Sequence, residues 1–154
     1  IGQRFAKICD AMNMKVLGFD PYAKNIPSYV TSVDLESIQE KSDVISLHCP
    51  LTPENSQMLN KDFFAKCKRG VIIINTARGG LIDESALLEA IALGTVSMAG
   101  LDSFAVEPMK TPHIFHGNQN IILTPHIGGV TNDAYINMGV GAAKNIVACL
   151  SEIH

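Results

Sequence analysis

An arginine, two carboxylates and a histidine occur in one recurring setting along this chain. Each follows an apolar run and stands at a turn rich in Gly or Pro. VIIINTARGG (71–80) places Arg78, MAGLDSFAVEP (98–108) places Asp102 and Glu107, and IILTPHIGG (121–129) places His126. The planar fork of an arginine holds a carboxylate through two charge-assisted hydrogen bonds. Histidine titrates near neutrality, so it can give a proton in one direction and take it back in the other. A carboxylate beside it favours the imidazolium and fixes the ring. The set can therefore hold an anion and move a proton.

Such residues must be carried by strands that end at a common edge. VIIIN (71–75) is β-branched and apolar throughout, which predicts a strand buried on both faces. SMAGLD (97–102), NIILT (120–124), KVLGFD (15–20) and DVISLH (43–48) read as further strands, and TSV (31–33) as a short one. Helical spacing or capping marks 3–13, LESIQEK after Asp34, NKDFFAKCK (60–68) before a stop at Gly70, ESALLEAIALG after Asp83, and 132–150. The Pro-rich stretch 105–118 reads as a surface loop over the active edge. Strands alternating with helices at these intervals predict βαβ units, a mostly parallel sheet and ligand binding at the carboxyl ends of the strands.

Composition narrows the function classes. The 154 residues are enough for one domain with a real core, and 47% are hydrophobic against 18% charged. Net charge is −3 and the only basic block is the short KCKR (66–69), so nucleic-acid binding has no electrostatic support. No apolar stretch approaches the ~18–20 residues of a membrane span. The first residues, IGQRFAKICDAMNM, lack the charged leader and apolar run of a signal peptide. Cys9, Cys49, Cys67 and Cys149 are scattered, as reduced thiols of a cytoplasmic protein would be.

Gly2 opens a helix and Asp20 ends the strand that follows it, 18 residues on. In the dinucleotide-binding pattern GxGxxG, an acidic residue about 20 residues downstream binds the ribose hydroxyls. Gly2 fits the third glycine, which lets helix and strand pack closely. On that reading the first strand and two glycines lie upstream of residue 1, and residues 1–154 are a piece of a longer protein. Two neighbouring strands would then lack their central partner. GVGAAK (139–144) is not a second fingerprint, because no strand precedes it. His113 and His116 form an HxxH pair with no third metal ligand in pattern. No GxSxG nucleophile elbow is present.

Across essentially its whole length the chain resembles the D-isomer-specific 2-hydroxyacid dehydrogenases, which include phosphoglycerate dehydrogenases and hydroxypyruvate/glyoxylate reductases. IG, VLGFDPY, DVISLHCPLTPEN, GVIIINTARGGLIDESAL, AGLDSFAVEP and NIILTPHIGG carry the resemblance, in that order. It implies a Rossmann-type, doubly wound α/β domain spanning 1–154, with its last helix at about 131–151 and the substrate domain absent. It implies NAD as cofactor, with Asp20 on the ribose and Gly2 and Pro21 beside it. His48, Cys49, Pro50, Thr76, Ala77, Arg78, Asp102, His126 and Gly128 would line the rest of the cofactor site, Asp102 at the nicotinamide carboxamide. Arg78 would bind substrate, His126 would be the acid/base and Glu107 its partner. Asn55 departs from the threonine common in the family, within a loop.

Reduction of a 2-keto acid needs an anchor, a proton and a hydride, and no side chain supplies the hydride. The expected protein is thus an NAD-dependent oxidoreductase acting on a small 2-hydroxy or 2-keto acid, dimeric at full length. It would be cytoplasmic, and residues 1–154 alone would be inactive. An NAD-sensing corepressor-like protein of the same superfamily is the alternative, since it would keep the same triad.

Overall fold

The computed structural model describes residues 1–151. In chain order the elements are α1 (Gly2–Ala11), β1 (Leu17–Gly18), β2 (Thr31–Ser32), α2 (Leu35–Lys41), β3 (Val44–Leu47) and α3 (Lys61–Ala65). They continue with β4 (Val71–Asn75), α4 (Glu84–Ala92), β5 (Val96–Leu101), β6 (Ile121–Leu123) and α5 (Asn132–Ser151). Short polar side chains set several helix starts by accepting backbone amides that would otherwise lack partners. Asp34 caps α2 through Ser37, Asn60 caps α3 through Phe63, and Asp83 caps α4 through Ser85 and Ala86. Gly94, left-handed at φ 71°, turns the chain from α4 into β5.

Every strand pair is parallel. β3, β4, β5 and β6 form one sheet in that order, and β1 pairs with β2 in a separate two-stranded sheet. This is a Rossmann-type α/β fold. Because the strands of the four-stranded sheet run parallel, their carboxyl ends gather at one edge, and Arg78, Asp102, Glu107 and His126 follow those ends.

The core lies on one face of the four-stranded sheet. Ile45, Ile73, Ala99 and Ile121 are in register across it and are all buried, as are Leu47, Asn75 and Leu101 one step along. Against them pack Phe63 and Phe64 of α3 and Ala86, Leu87, Ala90 and Ile91 of α4. The expectation that β4 is buried on both faces is corrected here. Its residues alternate, with Val71, Ile73 and Asn75 buried and Ile72 and Ile74 half-buried. The side chains in register with those two include Val44, Met98 and Ile122, which are 40%, 41% and 61% exposed. An all-apolar strand identifies what can be buried, but the packed helices decide which side is.

After β5 the chain runs through the Pro-rich loop without becoming loose. Phe104 and Phe115 are only 5% and 2% exposed. Burying a phenylalanine contributes about 1.5–3 kcal/mol, enough to pin a loop at two points. Among the described residues, no helix is long and apolar enough to cross a membrane.

Candidate functional site

His126 follows β6 in the turn TPHIGG and takes a left-handed backbone, φ 55°. A side chain with a Cβ holds that conformation at a cost of roughly 1–3 kcal/mol, a kind of strain that clusters at functional sites. Its Nδ1 lies 2.6 Å from Glu107 Oε2, and both side chains are partly exposed. With a carboxylate accepting from Nδ1, the neutral ring must present Nε2 as an acceptor, and the protonated ring presents it as a donor. Among the described residues no protein group bonds Nε2.

Glu107 is held in turn by its own loop, since the Phe104 amide donates to Glu107 Oε1 at 2.9 Å. That hydrogen bond, followed by the one from His126, keeps the Glu107 carboxyl below its ordinary value of 4.5. Desolvation pushes the other way, and the charges of His126 and the Arg78 guanidinium add to the lowering. Arg78 is therefore near enough for its charge to act on Glu107.

Arg78 stands at the surface on a turn built from a buried residue. Asn75, 1% exposed at the end of β4, accepts the Ala77 amide through Oδ1 and donates to the Arg78 carbonyl through Nδ2. The turn then packs directly on the Glu107 loop. A Cβ added to Gly79 would come within 1.9 Å of the Phe104 carbonyl carbon, so only glycine permits the contact. Arg78 and Glu107 thus sit on two backbones in direct contact.

Asp102 is only 4% exposed and knits the end of β5 to the histidine turn. Its Oδ1 accepts the Thr124 hydroxyl and the Ile127 amide, and its Oδ2 accepts the Gly128 amide at 2.8 Å. Burial pushes this carboxyl up, but the three hydrogen bonds and the charge of His126 outweigh it, so it stays below its usual range. A side chain at Gly128 would press on Asp102 Oδ2, at 2.9 Å. The structure brings Asp102 to the site chiefly as the brace of the turn that carries His126.

Most of the remaining sequence-predicted positions form a second group. A Cβ on Gly2 would lie 3.3 Å from His48 Cβ, so the start of α1 rests tightly on the end of β3. Phe5 adds a ring contact to His48 at 5.5 Å. Asp20 is exposed after β1, with Oδ1 accepting the Tyr22 amide at 2.9 Å across Pro21. Its charge reaches Cys49, whose thiol is pushed up first by burial and also by Asp20. Gly2, Asp20 and the loop His48–Pro50 therefore form one group, while Thr76 is exposed and Ala77 half-buried on the Arg78 turn.

Sequence reasoning missed Asn75, Thr124 and Glu84. Asn75 and Thr124 are polar residues at the ends of apolar runs, and that signal was available. Glu84 looked like an ordinary first-turn helix acid, although its Oε1 accepts the Ala105 amide. His113 and His116 do not face a common ligand. His116 Nδ1 accepts the His113 amide, and His113 Nε2 lies 3.4 Å from Glu84.

Residues 1–128 match the family described as D-isomer specific 2-hydroxyacid dehydrogenase, NAD binding domain. Over 149 residues the chain is 44% identical to a hydroxypyruvate reductase of Thermotoga maritima, covering 95% of this chain and 48% of that protein. A solved D-2-hydroxyisocaproate dehydrogenase superposes with a TM-score of 0.92 at 32% identity, over 100% of this chain and 51% of its own. The NAD-complexed D-isomer specific 2-hydroxyacid dehydrogenase of Lactobacillus delbrueckii superposes at 0.86 with 28% identity, over 98% and 50%. The chain thus spans about half the length of these relatives.

Proposed function

The chain belongs to the D-isomer-specific 2-hydroxyacid dehydrogenase family, as its NAD-binding domain, and from that premise we propose that it is the cofactor-binding part of a longer enzyme. The enzyme interconverts a D-2-hydroxy acid and its 2-keto acid. The observation that carries this reading is the Glu107–His126 pair at 2.6 Å, on the same sheet edge as Arg78.

The residues present fit the family's cofactor, NAD. A dinucleotide needs a close helix–strand approach, an acceptor for the ribose diol and an uncrowded edge. Gly2 against His48 supports the first, and exposed Asp20, steadied by the Tyr22 amide, supports the second. Gly2, Asp20, Pro21 and His48–Pro50 would hold one part, and Thr76–Arg78, Asp102, His126 and Gly128 would line the other. Bound there, the nicotinamide supplies the hydride.

The chain's own residues do the rest. Arg78 clamps the substrate carboxylate and polarises the neighbouring carbonyl. His126 gives the proton on Nε2 to the carbonyl oxygen, or takes it from the hydroxyl in the oxidative direction. Glu107 holds the ring through Nδ1 and so fixes which nitrogen faces the substrate. Asn75 and Asp102 fix the turns on which Arg78 and His126 ride.

A homodimer is part of the proposal. α5 has no buried residue, and its Ile136, Val140 and Val147 are exposed, so it has apolar surface to give to a further domain or a second copy. The four free cysteines suit a cytoplasmic setting.

The test is a panel of 2-keto acids offered to the intact protein with NADH. Oxidation of NADH with at least one of them is expected. Tight NADH binding with no turnover across the panel would favour the sensing protein instead. A second experiment isolates Asp20. In Asp20→Ser the Kd for NADH is expected to rise about ten- to hundredfold, equivalent to roughly 1.4–2.8 kcal/mol. NADPH should gain relative to NADH, because a carboxylate repels the extra phosphate. Unchanged affinities for both would remove Asp20 from the cofactor site.

A further inference from the structure

Two consecutive amides in the loop after β5 are held by two different carboxylates. Phe104 N–H donates to Glu107 Oε1 at 2.9 Å, and Ala105 N–H donates to Glu84 Oε1 at 3.0 Å. Glu107 belongs to the loop itself, whereas Glu84 comes from the first turn of α4, just beyond the turn that presents Arg78. The other oxygen of Glu84 lies 3.4 Å from His113 Nε2, and these two side chains are only 17% and 15% exposed. His113 in turn packs its ring against Phe104 at 5.9 Å and Phe115 at 5.0 Å. Glu84 is thus enclosed between the helix that follows Arg78 and the loop that carries Glu107, with an amide and an imidazole as partners.

We propose that Glu84, backed by His113, is a positioning residue that fixes the 104–107 loop so that Glu107 stays on His126. The contact is directional. A carboxyl oxygen on the Ala105 amide sets the peptide next to the one that steadies Glu107, and Gly79 stacks that same Phe104–Ala105 peptide on the Arg78 turn. Freeing Ala105 N–H lets the Phe104–Ala105 backbone rotate, and that moves the donor on which Glu107 Oε1 depends. Glu107 then loses its aim before Arg78 loses its own support, because Arg78 is held separately by Asn75. The effect of losing Glu84 therefore falls on the proton step and not on substrate capture.

This inference rests on the reading of His126 and Glu107 given above, and the experiment separates the two. Four variants of the intact enzyme are compared for kcat, for KM of the 2-keto acid and for melting temperature: Glu84→Ala, Glu84→Gln, Glu84→Leu and His126→Gln. In Glu84→Ala, kcat is expected to fall about tenfold, equivalent to about 1.4 kcal/mol, with KM changed by about twofold or less. Glu84→Gln keeps an oxygen acceptor for Ala105 and should recover most of kcat. Glu84→Leu keeps much of the volume without the acceptor and should behave as the alanine variant does, so a folding defect caused by lost bulk is distinguished. If His126→Gln is impaired while Glu84→Ala turns over like wild type, the positioning role is overturned and the site reading stands. If Glu84→Gln is as slow as Glu84→Ala, or if every Glu84 variant fails to fold, the hydrogen bond to Ala105 is not what matters and the proposal falls. Wild-type turnover by His126→Gln would instead overturn the reading beneath it.

Discussion

Replacing His126 by glutamine in the intact enzyme is expected to lower kcat by about 10²–10⁴-fold, the usual worth of a positioned general acid–base. Binding should change far less. Glutamine can still donate a hydrogen bond toward the substrate oxygen, but it cannot carry a proton to or from it. The KM for the 2-keto acid should therefore stay within a fewfold of wild type, the sign of an interaction that acts mainly in the transition state. The pair itself has a definite pH window. Glu107 is depressed below its ordinary 4.5 in the folded protein, so its carboxylate is fully available above that value. It is lost only as pH falls through the lowered one. Loss of activity at neutral pH cannot then be ascribed to protonation of Glu107. Steady-state kinetics of the variant at neutral pH checks the first part, and a pH series on the wild-type enzyme checks the second.

Replacing Arg78 by alanine is expected to damage binding and turnover together. On the proposed reading the guanidinium would meet the substrate carboxylate in the ground state and stay on it through the reaction, while also drawing charge from the adjacent carbonyl. Loss of such a charged pair costs about 2–5 kcal/mol, or a fall in kcat/KM of roughly 30- to 5000-fold. Arg78→Lys should recover only part of this, since an ammonium cannot make the paired contact. The variant should fold normally, because the side chain is exposed and the turn is built by Asn75. A rise in KM with kcat unchanged would show that Arg78 holds substrate but has no part in the reaction.

The strand ends were legible in the sequence because an apolar run closing on Gly or Pro has few other structural solutions. Caps were legible for a related reason: Asp34 and Asp83 act on amides only two or three residues away. Longer connections were not. Nothing in the order of residues says that Asp102 would brace the histidine turn from 25 and 26 residues away, or that Glu84 would reach Ala105. Those contacts depend on how β5, β6 and α4 are stacked. The one-sided burial of β4 escaped for the same reason, since its composition is the same whether helices cover one face or two. The pairing of Glu107 with His126 came from family resemblance, and the geometry then supplied its distance and the amide that steadies it.

On the proposed reading, the edge carrying Arg78, Glu107 and His126 couples proton movement to hydride transfer. Single-turnover oxidation of bound NADH, after mixing the intact enzyme with a saturating 2-keto acid found active in the panel, measures that step directly. A rapid phase is expected in the wild-type enzyme. In His126→Gln that phase should slow by the same factor as kcat, with NADH bound as tightly as before. Equal rates of NADH oxidation in the two proteins would contradict that coupling.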